Sequence, residues 1–300
     1  MKLFHKHIVW AFFFASLSMV ATQVQAQAQV QAQGQVLAPQ TPQRGIAASK
    51  HNLSTTGLHT NHLIGEASSG FGQGEICIFC HTPHGANTSI AAPIWNKGSP
   101  TPGVALYQSY AVTNSSTMDS STVGPGSISR ACLTCHDGTQ AMDNMINAPG
   151  SGGFAPGGAR LAGAVWTGAL ADGLMPGGNL NPTIVTMLGT DLRNDHPVGM
   201  NFCGGSLTPN VPGNCADNDF PLAHTNGAGR FWIEGGSAVA GVQTPSSLSG
   251  PGFQKTDLPL YATNQVECAT CHDPHSTERT FLRRVGANNN SGMCLTCHAK

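Results

Sequence analysis

The sequence is poor in charge. Lysine, arginine, aspartate and glutamate make up only 10% of the 300 residues, with 14 basic side chains against 15 acidic ones. A chain with so little positive charge lacks the basic surface that nucleic-acid binding requires. Glycine and proline are abundant instead, at 37 and 19 residues, and they predict many turns and little regular secondary structure.

Long hydrophobic runs are also missing. The main apolar stretch, Ile8 to Ala21, has about 14 residues, which is short of the roughly 20 that cross a bilayer. Two lysines precede it and small-residue cleavage sites end at Ala26 or Ala28, so residues 1–28 are predicted to be a secretory signal peptide. Cleavage would leave no transmembrane anchor in the mature chain. An uncleaved anchor is the alternative, and it would suit a quinol-oxidising membrane subunit.

A periodic core pattern is absent from the segment that follows. Residues 29–47 are mostly alanine, glutamine and valine, and this composition predicts a flexible low-complexity leader. We therefore expect one ordered domain over residues 48–300.

Eight of the ten cysteines lie in four copies of Cys-X-X-Cys-His, the attachment sequence for c-type heme. The cysteines are Cys77 and Cys80, Cys132 and Cys135, Cys268 and Cys271, and Cys294 and Cys297, and the histidines are His81, His136, His272 and His298. At this composition, random placement gives roughly 0.014 copies of the pattern.

The spacing of the motif explains its chemistry. On a helical turn, residues i, i+3 and i+4 share one face, so two thiols reach the heme vinyl groups and the histidine reaches the iron as the proximal ligand. Zinc sites, a redox-active cysteine pair and a disulfide framework are the alternatives, but zinc does not explain a histidine after every pair. We therefore predict four covalently attached heme c groups, wrapped by a mostly irregular chain with short helices and a few short strands. Heme c is attached outside the cytoplasmic membrane, in agreement with export.

The two other cysteines, Cys203 and Cys215, lie in a glycine- and proline-rich stretch of a chain predicted to be exported. A local disulfide is the favoured interpretation. A pair of free thiols and an extra metal site are the alternatives.

The motifs are arranged as two pairs. Residues 48–137 and 263–300 each carry two motifs and are interpreted as two-heme modules, whereas residues 138–262 carry none. This middle segment is too long for an idle loop, and we expect it to cover hemes and supply a distal ligand. Its apolar stretches predict a helical turn or two at Pro182–Leu188 and a short strand or hairpin at Arg230–Glu234.

More histidines are available than four irons need, which favours two histidine ligands at every heme. Outside the motifs and the signal peptide these are His51, His59, His62, His84, His196, His224 and His275. A thioether from Met200 or Met293 is the other option, but methionines near heme more often pack, and none is assigned.

Two of these histidines have an informative spacing. His84 and His275 each lie three residues after a proximal histidine, and three residues reach at most about 11 Å. That is too short to pass round the same porphyrin, so each is predicted to ligate a neighbouring heme. A surface or propionate-binding role is the alternative. His196 is a further candidate because the adjacent Asp195 offers a partner for its other ring nitrogen.

The chain resembles the extracellular multiheme cytochromes of metal-reducing bacteria, in particular the tetraheme type that polymerises into conductive filaments. The matching stretches are Ser49–Ser54, Cys77–Gly85, Cys132–Gly138, Asp195–Val198, Val266–His275 and Cys294–His298. The resemblance implies closely stacked hemes with two histidine ligands each and favours His51, His84, His196 and His275 as the distal set. It also implies that a histidine is lent to a heme of the adjacent subunit, and His51 is our candidate for that role. His59 and His62 depart from the family pattern.

These expectations describe an electron-transfer protein and not an enzyme. The predicted partners are further copies of the chain in a homopolymer, other redox proteins and extracellular electron acceptors, and the predicted location is extracellular or the cell surface, with the periplasm as the alternative. A soluble periplasmic electron carrier is one rival. A multiheme reductase of a small nitrogen compound, with one five-coordinate heme, is another.

Overall fold

The computed structural model describes residues 45–54, 56, 62–64, 75–100, 124–149, 153–161, 165–167, 178–205, 220–221, 223–225, 229–234, 253, 256–262, 264–278, 280–283 and 291–298. Residues 1–40 form one unit and residues 41–300 another, and all the described residues belong to the second. The predicted signal peptide and nearly all of the predicted leader lie outside the described residues. Within the ranges given above, no helix has the length and apolar character needed to cross a bilayer.

The described α-helices each carry the two cysteines of a heme-attachment motif. They are α1 (Ser127–His136), α2 (Cys268–Cys271) and α3 (Cys294–Cys297), and 3-10 helices span Ile46–Ala48, Cys77–Phe79 and Phe202–Gly205. Helix α1 is the longest of the three, and it buries Ala131 and Leu133 on one face. Gly138, two residues after its end, adopts a φ of +73°, the left-handed conformation in which glycine often terminates a helix.

Short antiparallel strands connect the motif regions. They are β1 (His62–Ile64), β2 (Asn144–Asn147), β3 (Phe154–Arg160), β4 (Val165–Thr167), β5 (Met200–Asn201), β6 (His224–Thr225), β7 (Phe231–Ile233), β8 (Leu258–Leu260) and β9 (Gln265–Val266). Strand β1 pairs with β4, β2 with β3 and β5 with β9, while β7 lies between β6 and β8. The strand expected within Arg230–Glu234 is therefore β7.

The region after α1 differs from the sequence expectation. Turns occupy residues 182–186, where a helical turn or two was expected. The side chain of Asn181 accepts the backbone N–H and the hydroxyl of Thr183, both at 2.9 Å. These bonds compete with helical ones for the backbone, which explains why an apolar stretch forms turns.

The described hydrophobic core consists of four small clusters. The largest contains Phe202, Ile233 and Leu258, and both Cys271 and Cys297 pack against it. A second contains Phe79 of the first motif, with Cys80 beside it. Cys80 also packs on a third cluster and Leu133 belongs to the fourth, so each cluster includes or borders a residue of an attachment motif.

Buried polar groups complete the first module. Lys97 is 1% exposed, and its Nζ donates to the backbone carbonyls of Met142 (2.7 Å) and Asn144 (3.2 Å). Asn96 is fully buried and donates to the carbonyl of Ile78 at 2.8 Å. Because its Oδ1 accepts the N–H of Asn147, Asn96 ties the first motif to strand β2.

Candidate heme-binding site

Each of the four attachment motifs forms a helical turn. In the first, third and fourth, the backbone N–H of the histidine donates to the carbonyl of the first cysteine, at 2.8 Å for His81, 3.0 Å for His272 and 2.8 Å for His298. The second motif lies at the end of α1. All eight motif cysteines are free of disulfides, so each thiol is available for a thioether bond.

The cysteines of successive motifs lie near one another. Burial raises the pKa of Cys80 to about 12, and the nearby Cys135 adds to the rise. The Cys132 thiol is hydrogen-bonded to Cys268, which raises the pKa of Cys132 and lowers that of Cys268. Burial raises the pKa of Cys271 to about 11, with smaller contributions from Cys268 and Cys294. Each motif therefore has a cysteine close enough to interact with one of the next motif along the chain.

Five predicted ligand histidines have the same hydrogen-bond pattern. In each, Nδ1 lies within hydrogen-bond distance of a backbone carbonyl: His51 with Pro274 (3.1 Å), His81 with Pro93 (2.8 Å), His136 with Thr186 (2.7 Å), His196 with Pro197 (3.0 Å) and His272 with Thr280 (2.8 Å). A carbonyl only accepts, so Nδ1 must carry the proton. The lone pair then lies on Nε2, the form of imidazole that binds a metal.

Two pairs of predicted ligand histidines have their rings close together. The rings of His81 and His275 have centroids 6.1 Å apart, with their planes 18° from parallel. The rings of His51 and His136 have centroids 6.2 Å apart, at an angle of 56°. Each pair combines a predicted proximal ligand with a predicted distal ligand from another part of the chain.

Burial disfavours the charged form of these imidazoles. It lowers the pKa of His51 to about 4, with a smaller contribution from His136. It also lowers the pKa values of His136 and His272. A neutral imidazole is the ligand form, so these side chains are ready to bind metal at neutral pH without losing a proton.

The remaining predicted ligands have different surroundings. The pKa of His272 is lowered mainly by burial and slightly by the nearby His196. The Nδ1 of His196 contacts the Pro197 carbonyl, whereas we had expected Asp195 in that role. The ring of His298 lies 4.9 Å from that of Phe220. His84 is exposed, and its carbonyl accepts hydrogen bonds from Thr82 and Asn147.

The rival histidines differ from the predicted set or cannot be compared with it. His224 is 2% exposed, and its Nε2 lies 3.4 Å from the carboxylate of Glu234. That contact involves Nε2, the nitrogen that carries the lone pair in the five histidines described above. His62 is in β1, but its side chain lies outside the described part of the structure, as does all of His59.

The other sulfur-containing candidates have ordinary surroundings. Met293 is buried in the largest cluster and Met200 packs against it, in agreement with a packing role. Cys203 is disulfide-bonded. Because Cys215 lies outside the described residues, the pairing of Cys203 with Cys215 stays a prediction.

Sequence reasoning missed three residues near the motifs. Phe281 stacks on His51 at 4.2 Å, and Asp273 lies 3.5 Å from Nδ1 of His275. The hydrogen bond from His275 lowers the pKa of Asp273 to about 2. The spacing of Asp273, two residues before a candidate ligand, was a signal for its role, whereas nothing in the sequence marked Phe281.

Glu267, the third missed residue, joins the two modules. It is 1% exposed, accepts hydrogen bonds from Ser129 and from the Gly126 N–H, and caps α2 through a reciprocal bond with Thr270. Burial raises its pKa to about 6. The helices α1 and α2, which carry the second and third motifs, are thus bound together through one buried carboxyl group.

The comparisons with known proteins agree with the motif. A family model described as a doubled CXXCH motif matches residues 262–300, which contain the third and fourth attachment sequences. No curated protein matches the chain. The residues present fit heme c: cysteine pairs without disulfides on helical turns, and histidines whose Nδ1 contacts a backbone carbonyl, which leaves the lone pair on Nε2. The doubled motif and these residues together indicate a multiheme c-type cytochrome that binds heme c covalently.

Proposed function

We propose that the protein is an exported tetraheme c-type cytochrome that carries electrons along closely spaced hemes with two histidine ligands each. The observation that carries the proposal is the pair of imidazole separations, 6.1 and 6.2 Å. Two imidazoles bonded to one metal ion at about 2 Å each have ring centres about 6 Å apart. Both separations therefore suit an iron atom between the rings.

Three ligand pairs follow from these contacts. His81 with His275 completes the first heme, and His136 with His51 completes the second. His272 and His196 interact electrostatically, which supports them as the pair for the third. Of the predicted distal ligands, His84 then remains for the fourth heme, whose proximal ligand is His298.

The ligand set separates electron transfer from catalysis. A c-type heme with two histidine ligands supplies a reversible one-electron iron couple and has no open coordination position for a substrate. The Nδ1 hydrogen bonds hold the imidazoles in one tautomer and orientation, so little rearrangement is needed between redox states. The proximity of successive motifs provides short distances between electron carriers.

Mass and spin state test this proposal. We expect the intact mass of the secreted protein to equal the mature chain plus four heme groups, and low-temperature electron paramagnetic resonance of the assembled ferric protein to show low-spin iron alone. A high-spin signal from one heme in four would instead support the multiheme reductase of a small nitrogen compound. Fewer than four hemes would overturn the tetraheme assignment.

The resemblance to filament-forming cytochromes supports a further element of the proposal, a homopolymer at the cell surface or outside the cell. On the ligand pairs above, His51 and His136 of one chain ligate the same iron. We therefore assign the ligation of a heme in the adjacent subunit to His84 instead of His51. The exposed ring of His84 lies in the region of the first motif, whereas the motif without a distal ligand is the fourth and last along the chain. If His84 ligated the fourth heme of the adjacent subunit, the hemes of the two subunits would form one continuous series.

The variant His84→Ala tests the proposed ligation between subunits. We expect negative-stain microscopy to show filaments in shed wild-type material and dispersed particles for the variant, which keeps four hemes but gains one high-spin signal. Exposed Ser89→Ala serves as the control and should leave filaments intact. Dispersed wild-type monomers with four low-spin hemes would contradict polymerisation and favour a soluble periplasmic carrier.

A further inference from the structure

A short segment that starts with the histidine of the third motif contacts the proposed ligands of three hemes. It begins at His272, whose Nδ1 contacts the Thr280 carbonyl, and ends at His275, whose ring faces His81. Between them, the carbonyl of Pro274 accepts a hydrogen bond from His51. The segment His272–His275 thus takes part in the coordination proposed for the first, second and third hemes.

Within this segment, His275 has an unusual partner. The Nδ1 atoms of His51, His81, His136, His196 and His272 contact neutral backbone carbonyls. The Nδ1 of His275 instead lies 3.5 Å from the Oδ1 of Asp273, a carboxylate. This ligand therefore faces a full negative charge where the others face a dipole.

The position of Asp273 is well defined. It is 7% exposed, and its Oδ1 also accepts the backbone N–H of His275 at 3.0 Å. Its own N–H donates to the Phe281 carbonyl at 2.7 Å, and its carbonyl accepts the N–H of Ser276 at 2.9 Å. Backbone bonds on both sides hold the carboxylate beside the imidazole.

A carboxylate in this position changes the ligand electronically. It draws the Nδ1 proton toward itself and makes Nε2 a stronger electron donor. A stronger donor stabilises ferric over ferrous iron and lowers the reduction potential. The buried cation Lys97 acts near Cys80 of the same motif and opposes this effect, so the contribution of Asp273 must be measured by its removal.

We propose that Asp273 is a positioning and tuning residue that lowers the reduction potential of the heme attached at Cys77 and Cys80, through its contact with His275. The proposal rests on the proposed function, because it takes His275 as an iron ligand. It assigns to the third motif region control over the potential of the first heme.

Asp273→Asn tests this role, with Asp137→Asn as a matched control. Asp137 also follows a proximal histidine directly and is 3% exposed, but its carboxylate accepts hydrogen bonds from the N–H and hydroxyl of Thr139. Both substitutions remove one buried negative charge near a heme. In redox titrations followed by absorbance and by electron paramagnetic resonance, Asp273→Asn should shift one of four midpoint potentials to a more positive value. The g values of that low-spin heme should shift with it.

The outcomes are distinguishable. A shift in Asp273→Asn no larger than in Asp137→Asn, with all hemes low-spin, overturns the tuning role and leaves the proposed function intact. A high-spin heme in Asp273→Asn also overturns it, because Asp273 would then be needed for ligation itself. If Asp273→Asn is not exported with its hemes, Asp273→Ser takes its place under the same criteria. Missing hemes or high-spin iron in the assembled wild type would contradict the proposed function instead.

Discussion

In the variant His275→Ala, one ferric heme of the assembled protein is expected to become high-spin, while the hemes with unaltered ligands stay low-spin. The reason is the pairing of His275 with His81 at 6.1 Å, which leaves the first heme with a single histidine once the imidazole is removed. Electron paramagnetic resonance and the absorbance of the high-spin form measure the change. The heme should remain attached, because Cys77 and Cys80 are untouched, so the intact mass should fall only by the side-chain difference.

His224→Gln is the control for this variant. His224 is equally a histidine outside the motifs, but its Nε2 contacts Glu234, and glutamine keeps a polar group of similar reach. We expect no change of spin state in His224→Gln. Four low-spin hemes in His275→Ala would show that another residue ligates the first iron, and the ligand pairs proposed above would have to be redrawn.

Removing an attachment motif should affect stability according to its place in the row. In Cys132→Ala with Cys135→Ala, an interior heme is lost, and with it the contact between Cys132 and Cys268. Helix α1 would then lose the heme that its motif attaches. The free energy of unfolding should fall by at least the roughly 3–5 kcal/mol that the loss of one large core aromatic costs.

The matched variant alters the closing motif, Cys294→Ala with Cys297→Ala. Both variants should lose the mass of one heme, but the closing motif lies at one end of the row and should cost less stability. Denaturant titrations followed by heme absorbance and by circular dichroism compare the two. Equal losses of stability would contradict the order of motifs inferred from their cysteine contacts.

The sequence allowed the heme-binding residues to be predicted better than their arrangement. The spacing within each motif requires one helical turn, a local property, and the structure has a helical turn at all four. The limited reach of three residues excluded His275 from the iron of His272, but it did not indicate which motif the ring would meet. That choice depends on how distant segments pack, and no local pattern encodes it.

The partners of the ligand histidines were harder to predict. The groups that contact Nδ1 of His81, His136 and His272 are backbone carbonyls, which every residue possesses. Side-chain identity therefore gives no signal for them, and the expectation that Asp195 would orient His196 favoured a carboxylate where a carbonyl is found. The burial of Lys97 could not be predicted from the sequence either, because its hydrogen-bond partners are backbone carbonyls as well.

The hydrogen bond between His51 and Pro274 joins positions 223 residues apart, in the first and last parts of the chain that the structure describes. A chain that is exported from its N-terminus presents the first two motifs long before Pro274 and His275 emerge. On the proposed ligand pairs, the first heme would keep a single histidine ligand until His275 arrived, and His51 of the second pair would lack its hydrogen bond to the Pro274 carbonyl. Heme coordination would then be completed only when the last part of the chain had folded. A protein truncated before residue 262 would therefore carry hemes without reaching the low-spin absorbance spectrum of the complete protein.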